Sequence, residues 1–214
     1  MEHQTSRELI LNRIHRIAES RNDGQTEMPS YQQEEIYKPI VPDLLSCFTQ
    51  ELEAISGQCM VCNGDEDMYQ QLAALIEKKG LPFVFSRDAV ISEKLRTVGI
   101  AVEEREEAFK QLYAGITPCE LLIARTGSVI VNTAGSSGRQ MHVFPPVHIV
   151  IAKASQIVAF PGDALEVMQR KYDENLPSAI TIITGPSRTA DIEKTLVLGA
   201  HGPKELIIFV DKSQ

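Results

Sequence analysis

From Asp43 onward, apolar residues recur alternately at helical and at strand spacing. Leu44, Phe48, Leu52 and Ile55 mark one helix face, and Gln58–Cys62 reads as a short strand. Met68, Leu72, Leu75 and Ile76 give a second helical stripe that stops at Gly80, followed by a strand at Phe83-Val-Phe85. Residues 87–97 read as helix, with a short strand near Ile100–Val102. Leu121–Ala124 and Ser128–Val131 read as two strands around a turn at Thr126-Gly127. Gly138–Phe144 predicts a short helix ended by Pro145-Pro146. Beyond it come strands at His148–Ala152 and Ile157–Ala159 and a helix over Asp163–Tyr172. A strand at 180–184, a helix to Leu198 and a final strand Leu206–Val210 complete the pattern. Strands alternating with helices predict an α/β fold, a mainly parallel sheet flanked by helices.

The N-terminal part differs. Thr5-Ser-Arg-Glu8 reads as a capping box opening a helix, with Ile10, Ile14, Ile17 and Ala18 on one face. Residues 21–42 are polar and broken by Pro29, Pro39 and Pro42. The chain is therefore expected to divide into an N-terminal helix and linker arm, 1–42, and an α/β domain, 43–214. Its 214 residues are enough for one full core, and 43% hydrophobic with 23% charged is ordinary globular composition. A formal charge of −8 argues against a nucleic-acid partner, because no basic excess offsets phosphates. No stretch is apolar enough to span a bilayer, and no signal-peptide core follows Met1. A cytoplasmic protein without membrane insertion is expected, its four cysteines reduced.

The block with most chemistry is Gly185-Pro-Ser-Arg-Thr-Ala-Asp191, between an apolar strand and a predicted helix. Gly185 and Pro186 make the turn, Ser187 and Thr189 supply hydroxyls, and Asp191 suits a helix dipole. Arg188 fits less simply: a cation near a helix N-terminus is unfavourable unless it shares an anion. Arg188 is accordingly read as a charge clamp on a small anionic ligand. Gly135-Ser136-Ser137-Gly138-Arg139 is a glycine-rich turn without a phosphate-loop Lys-Ser/Thr pair, and is read as the second wall of the same cleft. His148 and His201 are the proton-acceptor candidates, although His148 at the start of an apolar strand suits a packed, hydrogen-bonded core histidine and His201 a helix C-terminal cap, while His142 is placed on a helix. Neither these histidines nor the cysteines show metal-ligand spacing. Cys59 and Cys62 in one strand point to different faces, unlike a redox pair.

Several segments together resemble the LUD domain. They are Gly115-Ile-Thr, Ala124-Arg-Thr-Gly-Ser-Val129, Gly138-Arg139, Pro145-Pro-Val-His-Ile-Val150, Ile183-Thr-Gly-Pro-Ser-Arg-Thr-Ala-Asp-Ile-Glu193 and Leu198-Gly-Ala-His-Gly-Pro-Lys-Glu-Leu206. Within that family the chain is similar to the lactate-utilization protein C group. The resemblance implies a fold like the sugar-phosphate isomerase and CoA-transferase superfamily. It also implies oxidation of L-lactate to pyruvate together with iron–sulfur partner proteins, and brings Thr126 and Gly127 among the ligand-binding candidates. Arg125 departs from the pattern, since this turn commonly carries an acidic residue. The cofactor is left unassigned: a small carboxylate and a phosphate-bearing cofactor both suit the loops. A non-catalytic assembly subunit, or an acyl- or CoA-transferring enzyme with Glu120 as nucleophile, are the other readings.

Overall fold

The computed structural model describes residues 6–21, 39–173, 175–189 and 197–213. The chain divides into two compact units, Met1–Pro39 and Ile40–Gln214. In the first, helix α1 spans Ser6–Arg21. The predicted cap at Thr5 lies outside the described residues, as does most of the proline-broken stretch.

The second unit opens with α2 (Leu44–Ala54), whose N-cap Asp43 accepts a 2.9 Å bond from the Ser46 N–H. Its spacing buries Cys47, Phe48 and Leu52. Strand β1 (Gln58–Cys62) leads to α3 (Asp65–Lys78), which carries Asp65, Glu66 and Asp67 in its first turn and Lys78 in its last, each suited to the dipole. Then come β2 (Val84–Phe85), α4 (Ala89–Thr97), β3 (Val102–Glu103) and β4 (Ala114–Pro118). Strands β5 (Leu121–Ile123) and β6 (Ser128–Asn132) flank the Thr126-Gly127 turn. The remainder is α5 (Gly138–Met141), β7 (Val147–Lys153), β8 (Ile157–Val158), α6 (Pro161–Tyr172), β9 (Ile180–Ile183), β10 (Arg188–Thr189), β11 (Val197–Leu198) and β12 (Glu205–Asp211).

Six strands form a parallel sheet in the order β1-β12-β7-β4-β2-β3. Alternation along β12 explains why it is apolar throughout. Ile207 and Phe209 face a core with Met68, Leu72 and Leu95 from α3 and α4. Leu206, Ile208 and Val210 face Phe48, Leu52, Leu122 and Val129 on the opposite side. A second sheet, β8-β5-β6-β9, closes that side and packs Leu121, Ile123 and Ile130 against Ala164 and Met168 of α6. Cys62 lies in one core and Cys59 packs against the other, so the two thiols do face apart.

The expected α/β architecture holds, with three departures. Strand β4, central in the sheet, has no counterpart in the sequence reading, because Gly115 and Pro118 read as chain breakers. The short strand near Ile100–Val102 begins two residues later. The helix expected to end at Leu198 does not reach there: Val197 and Leu198 form β11 and pair antiparallel with Thr189 and Arg188. Residues 190–196 lie outside the described set.

Candidate functional site

Strand β9 ends at Ile183, and the chain turns sharply at Gly185 (φ 80°). The backbone there lies against α2: a Cβ on residue 185 would stand 2.8 Å from the Ile55 carbonyl oxygen. Only glycine meets both demands without strain. Ser187 then joins two segments of the chain. Its N–H donates to the Pro203 carbonyl (2.8 Å), its carbonyl accepts from the Gly199 N–H (2.9 Å), and its Oγ accepts from the His201 N–H (3.4 Å). The 185–189 and 197–203 loops thus form one unit. The N–H groups of Lys204 and Glu205 both donate to the Pro146 carbonyl, tying that unit to the turn before β7.

Between these loops and the end of α5 lies a cleft of about 460 Å³, at the amino-terminal ends of β7 and β12. Its walls are Ile55, His142, Val143, Ile182–Arg188 and His201–Pro203. Thr184, Arg188, Val143 and His201 are exposed, while His142 is buried in the wall. Among the described lining residues Arg188 carries a positive charge and no carboxylate is present. Thr184 is backed by a run of hydroxyls: its Oγ1 is 2.9 Å from Ser128 Oγ, which donates to Thr126 Oγ1 at 2.7 Å.

The structure brings together Gly185, Pro186, Ser187, Arg188 and His201 from the residues singled out in the sequence. It separates others. Arg188 starts β10, and its Nη2 donates to the Ile55 carbonyl at the C-terminal end of α2, while the start of the helix expected after it falls outside the described residues. At that end of α2 a cation suits the helix dipole, so Arg188 has a favourable electrostatic partner within the fold. Thr189 follows in the same strand and pairs with Val197, and Asp191 lies outside the described residues.

Gly135, Ser136, Ser137, Gly138 and Arg139 do not line the cleft. The Ser137 carbonyl accepts from Arg87 (3.1 Å), Ser136 Oγ donates to Asp88 (3.3 Å), and Arg139 Nη2 donates to Ser178 Oγ (3.2 Å). The loop serves the cleft indirectly, as the lead-in to the helix that delivers His142 and Val143. Thr126 reaches the cleft only through Ser128 and Thr184, and Gly127 packs against the backbone of Leu52.

His148 is fully buried on β7, its Nε2 sharing a 2.9 Å bond with Thr117 Oγ1, and its Nδ1 has no hydrogen-bond partner among the described residues. Burial, reinforced by His142 beside it, pushes its pKa down to about 3. His148 is thus a core histidine, held neutral and out of the cleft. Beside His201, the cleft wall holds a second imidazole, His142, its ring centroid 6.0 Å from that of His148 and its pKa lowered by burial. No sequence signal marked it, because its place beside residues 184–188 is a tertiary relationship.

Glu120 stands apart from the cleft. Burial pushes its carboxyl up, but bonds from Lys171 (2.5 Å) and Tyr172 (2.8 Å) outweigh that and leave it lowered. It is a paired structural carboxylate here. Among the described residues no three His, Cys, Asp or Glu side chains group to hold a metal ion, and no helix is long and apolar enough to cross a membrane.

The comparisons agree with this fold. The chain is 30% identical over 212 residues to lactate utilization protein C of Macrococcus caseolyticus, an alignment covering 87% of this chain and 90% of that one. It is 34% identical over 136 residues to lactate utilization protein C 1 of Bacillus mycoides, covering 62% and 57%. Among solved structures it is similar to a DUF162 family protein from Deinococcus radiodurans, with a TM-score of 0.59 and 20% identity over 78% of this chain and 95% of that one. Residues 45–210, which hold both sheets and every wall of the cleft, match the LUD domain, and the chain belongs to that family.

Proposed function

We propose that this chain is a cytoplasmic subunit of a lactate-utilising system, oxidising L-lactate to pyruvate, and that its cleft is the anion site. One observation carries the reading. The two segments with the most distinctive residues, Gly185-Pro-Ser-Arg188 and His201-Gly-Pro203, are hydrogen-bonded to each other around a single cleft. Relatives bearing the name lactate utilization protein C support the pathway.

The chemistry suits a carboxylate or phosphate. A guanidinium has five N–H donors, and Arg188 commits one nitrogen to Ile55 while its side chain lines the cleft. The Thr184 and Ser187 hydroxyls and the His201 imidazole add hydrogen-bonding groups beside it. His142, kept neutral by burial, is in the form that accepts a proton. The four cysteines are scattered at 47, 59, 62 and 119 without cluster spacing, so iron–sulfur partner proteins are assigned the electrons.

Thermal shift against lactate, pyruvate, CoA esters, flavins and nicotinamide nucleotides tests the site. A ligand at one hundred times its Kd adds about 2.7 kcal/mol of stability. Lactate-dependent dye reduction is expected only when partner proteins are added. Strong reduction by the isolated chain overturns the subunit reading.

A further inference from the structure

Resting on that reading of the cleft, we propose that its occupant is an amphipathic anion: a phosphate or carboxylate joined to an apolar body of aromatic size. Two independent observations point there. The first is volume. Lactate's six non-hydrogen atoms take up roughly 180 Å³ even at the ~30 Å³ that one water molecule occupies in liquid. The cleft holds about 460 Å³, within the range of pockets that bury whole cofactors.

The second is the distribution of its walls. Ser187, Arg188 and His201 place the polar groups along the joined loops. Facing the same space are Val143, 47% exposed, and Ile182, 48% exposed, one following α5 and the other on β9. Two large aliphatic side chains from separate elements, both half open to water and both lining one cleft, offer apolar surface that a ligand with an apolar body would bury. A three-carbon hydroxy acid held at Arg188 has a single methyl group to set against both of them.

The test titrates the full chain calorimetrically with four probes: L-lactate, inorganic phosphate, naphthyl phosphate and flavin mononucleotide. The aromatic phosphates are expected to bind at least about tenfold more tightly than phosphate or lactate, the effect of burying one modest apolar group. Val143→Ser combined with Ile182→Thr, both at exposed positions, is expected to remove that advantage and leave phosphate affinity unchanged. Equal affinity for all four probes overturns the proposal while leaving the anion site standing. Aromatic probes that bind regardless of the double substitution also overturn it, since they then sit elsewhere. Binding by none of the four overturns this proposal and the anion-site reading together.

Discussion

The Arg188 guanidinium holds the backbone carbonyl of Ile55, the residue that ends α2, and so fastens the rim of the cleft to a helix 133 positions earlier in the chain. The bond lies at the negative end of the helix dipole, where a cation is stabilising. Arg188→Ala is expected to lower the stability of the ligand-free protein by about 1 kcal/mol, allowing for the exposure of the side chain. Urea denaturation measures it. A gain of a few tenths, the effect expected of a cation at a helix N-terminus, contradicts the arrangement.

His148 sets an acid limit. Its pKa is about 3 in the fold against an ordinary 6.5, so the folded protein favours the neutral ring. That contribution is complete above pH 6.5 and is lost progressively as pH falls toward 3, by up to about 1.4 kcal/mol per pH unit. His148→Gln, which carries no titrating ring, is expected to flatten the decline between pH 6 and pH 4, read as denaturation midpoints across that range. An unchanged slope assigns the acid sensitivity to other groups.

Two glycines from the sequence reading are expected to behave oppositely. Gly127 has φ 57°, and a Cβ there would stand 2.3 Å from the Leu52 nitrogen, a backbone atom that cannot turn aside. Gly127→Ala is expected to cost more than about 2 kcal/mol, or to prevent folding. Gly135 has nothing within 4 Å, and Gly135→Ala is expected to stay within about 0.5 kcal/mol. Comparable losses in both variants refute the packing assigned to the Thr126-Gly127 turn.

Residues from Ile40 onward are proposed to carry the fold without the N-terminal arm. Ile40 packs against the core that includes Phe48 and Leu122, so a cut just before it spares that contact. A chain starting at Ile40 is expected to melt cooperatively near the temperature of the full chain. Loss of the cooperative transition makes the arm integral.

How much of this was legible in the sequence depended on how far each signal reached. Strands β7 and β12 are buried on both faces, so their continuous apolar runs read directly. The stripes of α2 and α3 read at helical spacing because each helix buries one face. Strand β4 did not, because Gly115 and Pro118 imitate turn residues. Strands β10 and β11 are two residues each, too short for any periodicity. In the site, Ser187 and His201 were legible as unusual residues, but their mutual bond is tertiary. The role of Arg188 could not be inferred locally, since its partner belongs to α2.

Strand β12 is the last element in chain order, yet it lies between β1 and β7 rather than at an edge. It pairs along the whole of β7, beside Ile149 of one core and Val150 of the other. The loop that completes the cleft, 197–203, leads directly into that strand. One continuous segment, 197–211, therefore supplies both the strand that joins the two cores and a wall of the cleft, so a change that loosens β12 loosens that wall with it.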